Sequence, residues 1–236
     1  MLEAVFWLAL VKVLAVNLIL SGDNAVVIAM AARRLEGSQR RQAILWGAAG
    51  AVLLRLIFAA VISYLLAIPF LQVVGGLLLL WIAWKLVQED PNEEGKVEAG
   101  QSAWEAIRII IIADAVMSLD NVIALVGAAQ INGELNWTLL IIGLATTIPL
   151  VVFGAALLTS LLDRFPILVY LGAALLVYIS VEMFFADKAV HGYLESLVPF
   201  ELYIALGAAV IFAAAAWLWK KQRERTATAG EGPESS

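Results

Sequence analysis

Seven stretches of this chain are apolar over lengths suited to crossing a bilayer as a helix: residues 4–32, 43–67, 70–87, 107–129, 136–161, 166–186 and 200–219. A span needs about 20 mostly apolar residues. The pattern predicts an all-α polytopic membrane protein with seven transmembrane helices. The third stretch is the shortest and the Pro-bounded breaks at Pro69 and Pro166 are tight, so merging of the second and third stretches is the main alternative. Composition agrees: 63% of residues are hydrophobic, 15% are charged and the mean hydropathy is +0.92, far from the balance of a soluble domain.

The chain has no cysteine and one histidine, His191, which excludes disulfides, thiolate metal sites and thiol nucleophiles. No basic segment and small-residue cleavage site frame the first stretch, and Asp23 lies inside it, so it is expected to remain as a helix rather than act as a signal peptide. Lys and Arg set the orientation. Arg33, Arg34, Arg40, Arg41, Lys96, Arg108, Arg164, Lys220, Lys221, Arg223 and Arg225 all fall on one side of the seven-helix plan, and the opposite loops contribute only Lys188. The positive-inside rule then predicts an external N-terminus and a cytoplasmic C-terminus. The net charge of −5 gives no reason to expect a nucleic-acid partner.

Comparing the two halves at a fixed offset of 97 residues places Asn17, Ser21, Asp23 and Asn24 on Asp114, Ser118, Asp120 and Asn121. The same offset places Pro69 on Pro166 and Gly75 on Gly172. Chance could match Leu, Ala and Val between apolar helices, but not so readily polar residues at identical spacing. The expected organisation is therefore repeat 1 over 1–87, a flexible cytoplasmic linker over 88–105 and repeat 2 over 106–186. An external loop with helix seven covers 187–219, and a polar, disordered tail begins near residue 222 within a cytoplasmic segment over 220–236. Three spans per repeat is an odd number, so the second copy must be inverted, the plan of many secondary transporters with a substrate site near the midplane.

Asp23 and Asp120 fall near the middle of their spans, where each charge costs roughly 2.5–3.5 kcal/mol on insertion scales. One structural explanation is pairing with Arg55, near the centre of the second stretch. A single guanidinium absorbs one carboxylate, so Asp23, Asp114 and Asp120 still leave an excess of two negative charges, matching one divalent cation or two protons. At about 100° per residue, Asn17, Ser21 and Asn24 share a stripe from which Asp23 points away, and the second copy repeats the problem. Either the aspartates serve another face or the helices unwind near Ser21-Gly22 and Ser118-Leu119. Gly22 favours unwinding and Leu119 does not.

All candidate ligands, Asp23, Asp120, Asp114, Asn24, Asn121, Asn17, Ser21 and Ser118, offer oxygen. Hard cations such as Mn²⁺, Mg²⁺ and Ca²⁺ suit oxygen sites, whereas Zn²⁺ and Cu⁺ recruit His or Cys. Ligand type does not separate the three hard ions. Thr146 and Thr147, before Pro149, are weaker candidates for a path lining, with a plain packing kink as the alternative. Lys12, Lys85 and Glu182 suit snorkelling near span ends, and most Trp residues suit interfacial anchoring.

The segments Asn17-Leu-Ile-Leu-Ser-Gly-Asp-Asn-Ala and Asp114-Ala-Val-Met-Ser-Leu-Asp-Asn-Val resemble the TerC family of membrane proteins, in particular its compact YjbE-like branch. The resemblance implies seven spans, the bacterial inner membrane and manganese export against metal overload, alongside a historical association with tellurium resistance. It maps acidic positions onto Asp23, Asp114 and Asp120. Asn17 departs from the pattern where an acidic residue is frequent. The expected function is a secondary transporter exporting a divalent cation, Mn²⁺ foremost, with exchange for protons as the expected coupling, the metal as substrate and no resident cofactor. No Walker A loop is present, so ATP coupling within the chain is not expected. An aspartic dyad enzyme leaves Asn24 and Asn121 unexplained, and the chain is not expected to be an enzyme. Export of a cationic organic solute and a membrane scaffold remain alternatives. The expected partners are the lipid bilayer, a divalent metal ion and protons, and oligomeric state stays open.

Overall fold

The computed structural model describes residues 2–65, 68–88, 99–131 and 134–230, with side chains for all of these except 2–5, 19, 63, 99–102, 120 and 224–230. Long apolar runs give long helices. The order is α1 (Leu2–Ile19), α2 (Gly22–Ala32), α3 (Gly37–Leu65), α4 (Leu71–Gln88), α5 (Ala99–Ala128), α6 (Trp137–Arg164), α7 (Ile167–Ala186), α8 (Lys188–Leu194) and α9 (Glu201–Gly230). A small antiparallel hairpin, Gln130–Ile131 with Glu134–Leu135, joins α5 to α6.

Among the described residues, five segments are long and apolar enough to cross a membrane, and seven if each of two bent pairs forms one span. These pairs are Phe6–Leu18 with Gly22–Ala32, bent by 42°, and Ala103–Leu119 with Asn121–Ala128, bent by 56°. They are the two helices that carry the Asp-Asn motifs. Two boundaries differ from expectation. Helix α5 begins at Ala99, inside the expected linker, whose residues 89–98 lie outside those described. Helix α9 runs on to Gly230 in place of a disordered tail from residue 222, its Lys, Gln, Arg and Glu residues being good helix formers; residues 231–236 lie outside those described. The expected external loop over 187–199 holds α8 and a 3-10 turn, Glu195–Phe200.

Helix α3 packs along α5, α6 along α1 and α2, and α4 along α7, which α9 also packs against. The α4–α7 approach is close because Gly76 lacks a side chain: a Cβ there would stand 2.9 Å from the Ser180 carbonyl oxygen. Ser180 Oγ uses this proximity to donate to the Gly76 carbonyl at 2.6 Å. Small residues let backbones meet in this way inside a bilayer. The buried carboxylate of Asp187, at the end of α7, accepts from the backbone N–H groups of Gln72 (3.1 Å) and Val73 (3.3 Å) and caps α8 through Ala189 (2.9 Å). It ties three helix ends together, a role the sequence reading did not find.

The apolar interior forms two main clusters. The larger includes Met30, Ile44, Leu79, Leu86, Ile110 and Leu176, and the smaller includes Val13, Ala59, Val122, Leu125, Leu139 and Leu144. Along the chain, the first span leaves the smaller cluster at Val13 and enters the larger at Val27, whereas α5 leaves the larger at Met117 and enters the smaller at Val122. The motifs sit at these crossings. Many large apolar side chains face outward, among them Phe153, Leu8 and Ile211, each more than 70% exposed, a surface suited to lipid rather than water.

Candidate functional site

Asn, Ser, Gly and Asp are poor residues for a helix interior because they compete for, or free, the backbone. In the first span they gather at Asn17, Ser21, Gly22, Asp23 and Asn24, and the helix is interrupted between Ile19 and Gly22. Ser21 Oγ turns back to the Asn17 carbonyl at 2.6 Å. Asp23 lies in the first turn of α2, where a negative charge complements the helix N-terminus, and its Oδ1 accepts the Asn24 backbone N–H at 2.8 Å. The second span has Leu119 where the first has Gly22, and it bends around Asp120 without losing its helix.

The interruption makes the Leu20 carbonyl available to side chains. Asn24 Nδ2 donates to it at 2.9 Å, and Asn121 Nδ2 from the other motif donates to it at 3.3 Å. The two Asp-Asn motifs therefore meet at one backbone oxygen. Asn24 Oδ1, the other end of the same amide, is buried with no hydrogen-bond partner among the described residues, an arrangement that ordinarily costs about 1–3 kcal/mol and calls for a reason.

Equivalent positions in the two motifs have different partners. Asn17 Nδ2 donates to the Gly143 carbonyl at 2.7 Å, and Thr147 Oγ1 donates to Asn17 Oδ1 at 2.9 Å. Asp114 is held instead by Arg55: Nη2 reaches Asp114 Oδ1, and Nε lies 3.1 Å from Asp114 Oδ2 and 2.9 Å from Ser118 Oγ. Ser118 Oγ donates to Asp114 Oδ2 at 2.8 Å. The ion pair is buried, with Arg55 at 1% and Asp114 at 4% exposure.

Of the sequence candidates, Asn17, Ser21, Asn24, Asp114, Ser118 and Asn121 are all buried, and Asp23 is half-buried. The side chain of Asp120 lies outside those described. The structure joins Asn24 to Asn121 through Leu20 and binds Asp114 to Arg55 rather than leaving it open as a ligand. No three of the described His, Asp and Glu side chains converge closely enough to hold a metal ion. A cavity of about 10 Å³ borders Arg55, Asp114, Thr147 and Ile28, room for about one water. Thr147, a weaker candidate by sequence, is a direct partner of the first motif. The Leu20 carbonyl had no signal beyond the Gly22 break. His191, in α8, places Nδ1 2.9 Å from the Phe185 carbonyl, away from these groups.

A family model described as the integral membrane protein TerC family matches residues 2–225. The chain is 42% identical over 204 residues to the uncharacterized membrane protein YjbE of Bacillus subtilis (strain 168), covering 84% of this chain and 91% of that protein. It is 26% identical over 238 residues to the uncharacterized membrane protein YceF of the same organism, covering 97% and 90%. Its 27% identity over 249 residues to the UPF0053 protein YegH of Escherichia coli (strain K12) takes in 94% of this chain and 46% of that longer protein. No solved structure matches the chain.

Proposed function

This chain belongs to the TerC family of integral membrane proteins, and from that premise we propose that it is a secondary transporter exporting a divalent metal cation, with Mn²⁺ as the foremost substrate. The observation that carries this reading is the meeting of both Asp-Asn motifs at the Leu20 carbonyl, where a span is interrupted and a buried amide oxygen of Asn24 has no partner among the described residues. Interrupted helices expose backbone carbonyls at cation sites in many transporters. The donors are oxygens of Asp, Asn and Ser together with a carbonyl, a set suited to hard cations. Protons are the counter-ions that the carboxylates can take in exchange.

In this reading the seven spans form two inverted three-helix repeats and a seventh helix in the bacterial inner membrane, with the N-terminus outside and the C-terminus in the cytoplasm. Two features support the inversion. The motif helices run in opposite directions between the two apolar clusters, and exchanging the first three spans for the next three leaves the packing of α3 on α5, of α6 on α1 and α2, and of α4 on α7 unchanged. A scaffold is the second reading, since Arg55 and Asp114 form the ion pair such a role needs. It gives no role to half-buried Asp23. The small cavity beside Arg55 favours a compact ion over an organic solute.

Uptake into proteoliposomes of Mn²⁺, Mg²⁺, Ca²⁺ and Zn²⁺, with and without a pH gradient, tests the proposal. It expects Mn²⁺ to move fastest, Mg²⁺ and Ca²⁺ more slowly and Zn²⁺ least, with acceleration by an opposing proton gradient. Protein that inserts correctly yet moves none of the four ions would leave the scaffold.

A further inference from the structure

Arg55 is a buried cation within a site proposed to take cations. Its guanidinium reaches both oxygens of Asp114 and the hydroxyl of Ser118, while its Nη1 is buried with no hydrogen-bond partner among the described residues. The cavity of about 10 Å³ borders both Arg55 and Asp114. This charged pair, which joins the two repeats, has no second copy at the 97-residue offset. At the 97-residue offset Arg55 falls on Val152 and Asp114 on Asn17, and Asn17 is held by neutral groups, Thr147 and the Gly143 carbonyl.

We propose that Arg55 is a specificity-determining residue of the cation site: a tethered monovalent cation that holds Asp114 and yields it only to a divalent ion, thereby excluding Na⁺ and K⁺. The inference rests on the transport reading and adds a basis for selectivity to it. Coulomb attraction scales with charge at a given distance. A monovalent metal ion brings no more charge to Asp114 than the guanidinium already does, and it must shed water to reach a buried carboxylate. The guanidinium is weakly hydrated, planar and geometrically matched to a carboxylate, so it wins that competition. A divalent ion brings twice the charge. It displaces Arg55 from Asp114, and by formal charge the three motif aspartates, Asp23, Asp114 and Asp120, then balance one guanidinium and one divalent ion. Arg55 acts here through Asp114, as a competitor rather than a ligand.

The test is equilibrium dialysis of ⁵⁴Mn²⁺ against the purified full chain in detergent, with Na⁺ replacing choline at constant ionic strength. The wild type should bind Mn²⁺ with an affinity that Na⁺ leaves within about twofold. In Arg55→Gln the competitor is gone, and Na⁺ should weaken Mn²⁺ binding by about tenfold or more. Arg55→Lys keeps a unit charge and should keep most of the exclusion. Should Arg55→Gln fail to fold, the paired Asp114→Asn/Arg55→Val chain decides the matter, because it removes both charges at once and leaves no buried ion unpaired. It should bind Mn²⁺ about tenfold more weakly than wild type, having lost a ligand, yet stay insensitive to Na⁺. Wild-type affinity in the paired variant, or Na⁺ insensitivity in Arg55→Gln, would make the ion pair a fixed strut and overturn the proposal while leaving the transport reading intact. No Mn²⁺ binding by the wild type would overturn both.

Discussion

Asn17 and Asp114 stand at equivalent positions of the two motifs, yet one is held by Thr147 and a carbonyl on α6 and the other by the guanidinium of Arg55 on α3. The first is a neutral solution; the second is an ion pair. The spans differ in the same sense. With Gly22, the first is interrupted and offers the Leu20 carbonyl to both motifs, whereas the second, with Leu119, bends and stays helical. The two motifs thus differ: the first opens its backbone, and Asp114 of the second is held in an ion pair.

The comparison is broken most forcefully at the ion pair. Arg55→Val strands the Asp114 carboxylate in the core and should destabilise the protein by about 3–5 kcal/mol, the usual effect of removing one member of a buried pair. Adding Asp114→Asn to it should restore most of that loss. Denaturant unfolding of the single and double variants measures both, and equal stability of Arg55→Val and the wild type would mean that the pair is not buried as described.

A smaller effect is expected at the other copy. Thr147→Val keeps the shape of the side chain and removes the hydroxyl that donates to Asn17 Oδ1, which should cost about 1–3 kcal/mol if the amide oxygen is left without a donor. Urea or thermal unfolding would register it, and a change comparable to that of Arg55→Val would erase the distinction between a neutral and a charged copy.

The smallest effect runs the other way. A Cβ on Gly22 would meet nothing within 4 Å, so Gly22→Ala should stabilise the chain by about 0.5–1 kcal/mol through helix propensity and a less flexible unfolded state. It should slow Mn²⁺ transport if the interruption serves the substrate. Faster transport by the stabilised variant would sink the idea that the break is functional.

The all-helical class and the location of the two special helices were legible in the sequence because both rest on strong local signals, the length of apolar runs and polar residues inside them. The alternatives left open near Gly22 and Leu119 resolved along the line those residues suggest, since backbone freedom is a local property. Partner choice was not legible. That Arg55 takes Asp114 depends on how α3 lies against α5, which no residue spacing encodes. Asp187 escaped for a similar reason: its carboxylate caps helix α4, more than a hundred residues away in the chain. The Leu20 carbonyl belongs to an apolar residue and has no side-chain signature at all. Pairing by Arg55 also changes what Asp114→Asn means: judged from Asn17 alone it looks mild, but it leaves a buried guanidinium behind.

Equilibrium Mn²⁺ binding to the purified full chain, compared between the wild type, Asp23→Ala and Asp120→Ala, tests the central claim most directly, because a site shared between motifs and a separate site in each differ in stoichiometry. The account predicts one ion per chain, lost in either variant, since each removes a carboxylate from the same site. Two ions per chain, with each variant retaining one, would contradict it.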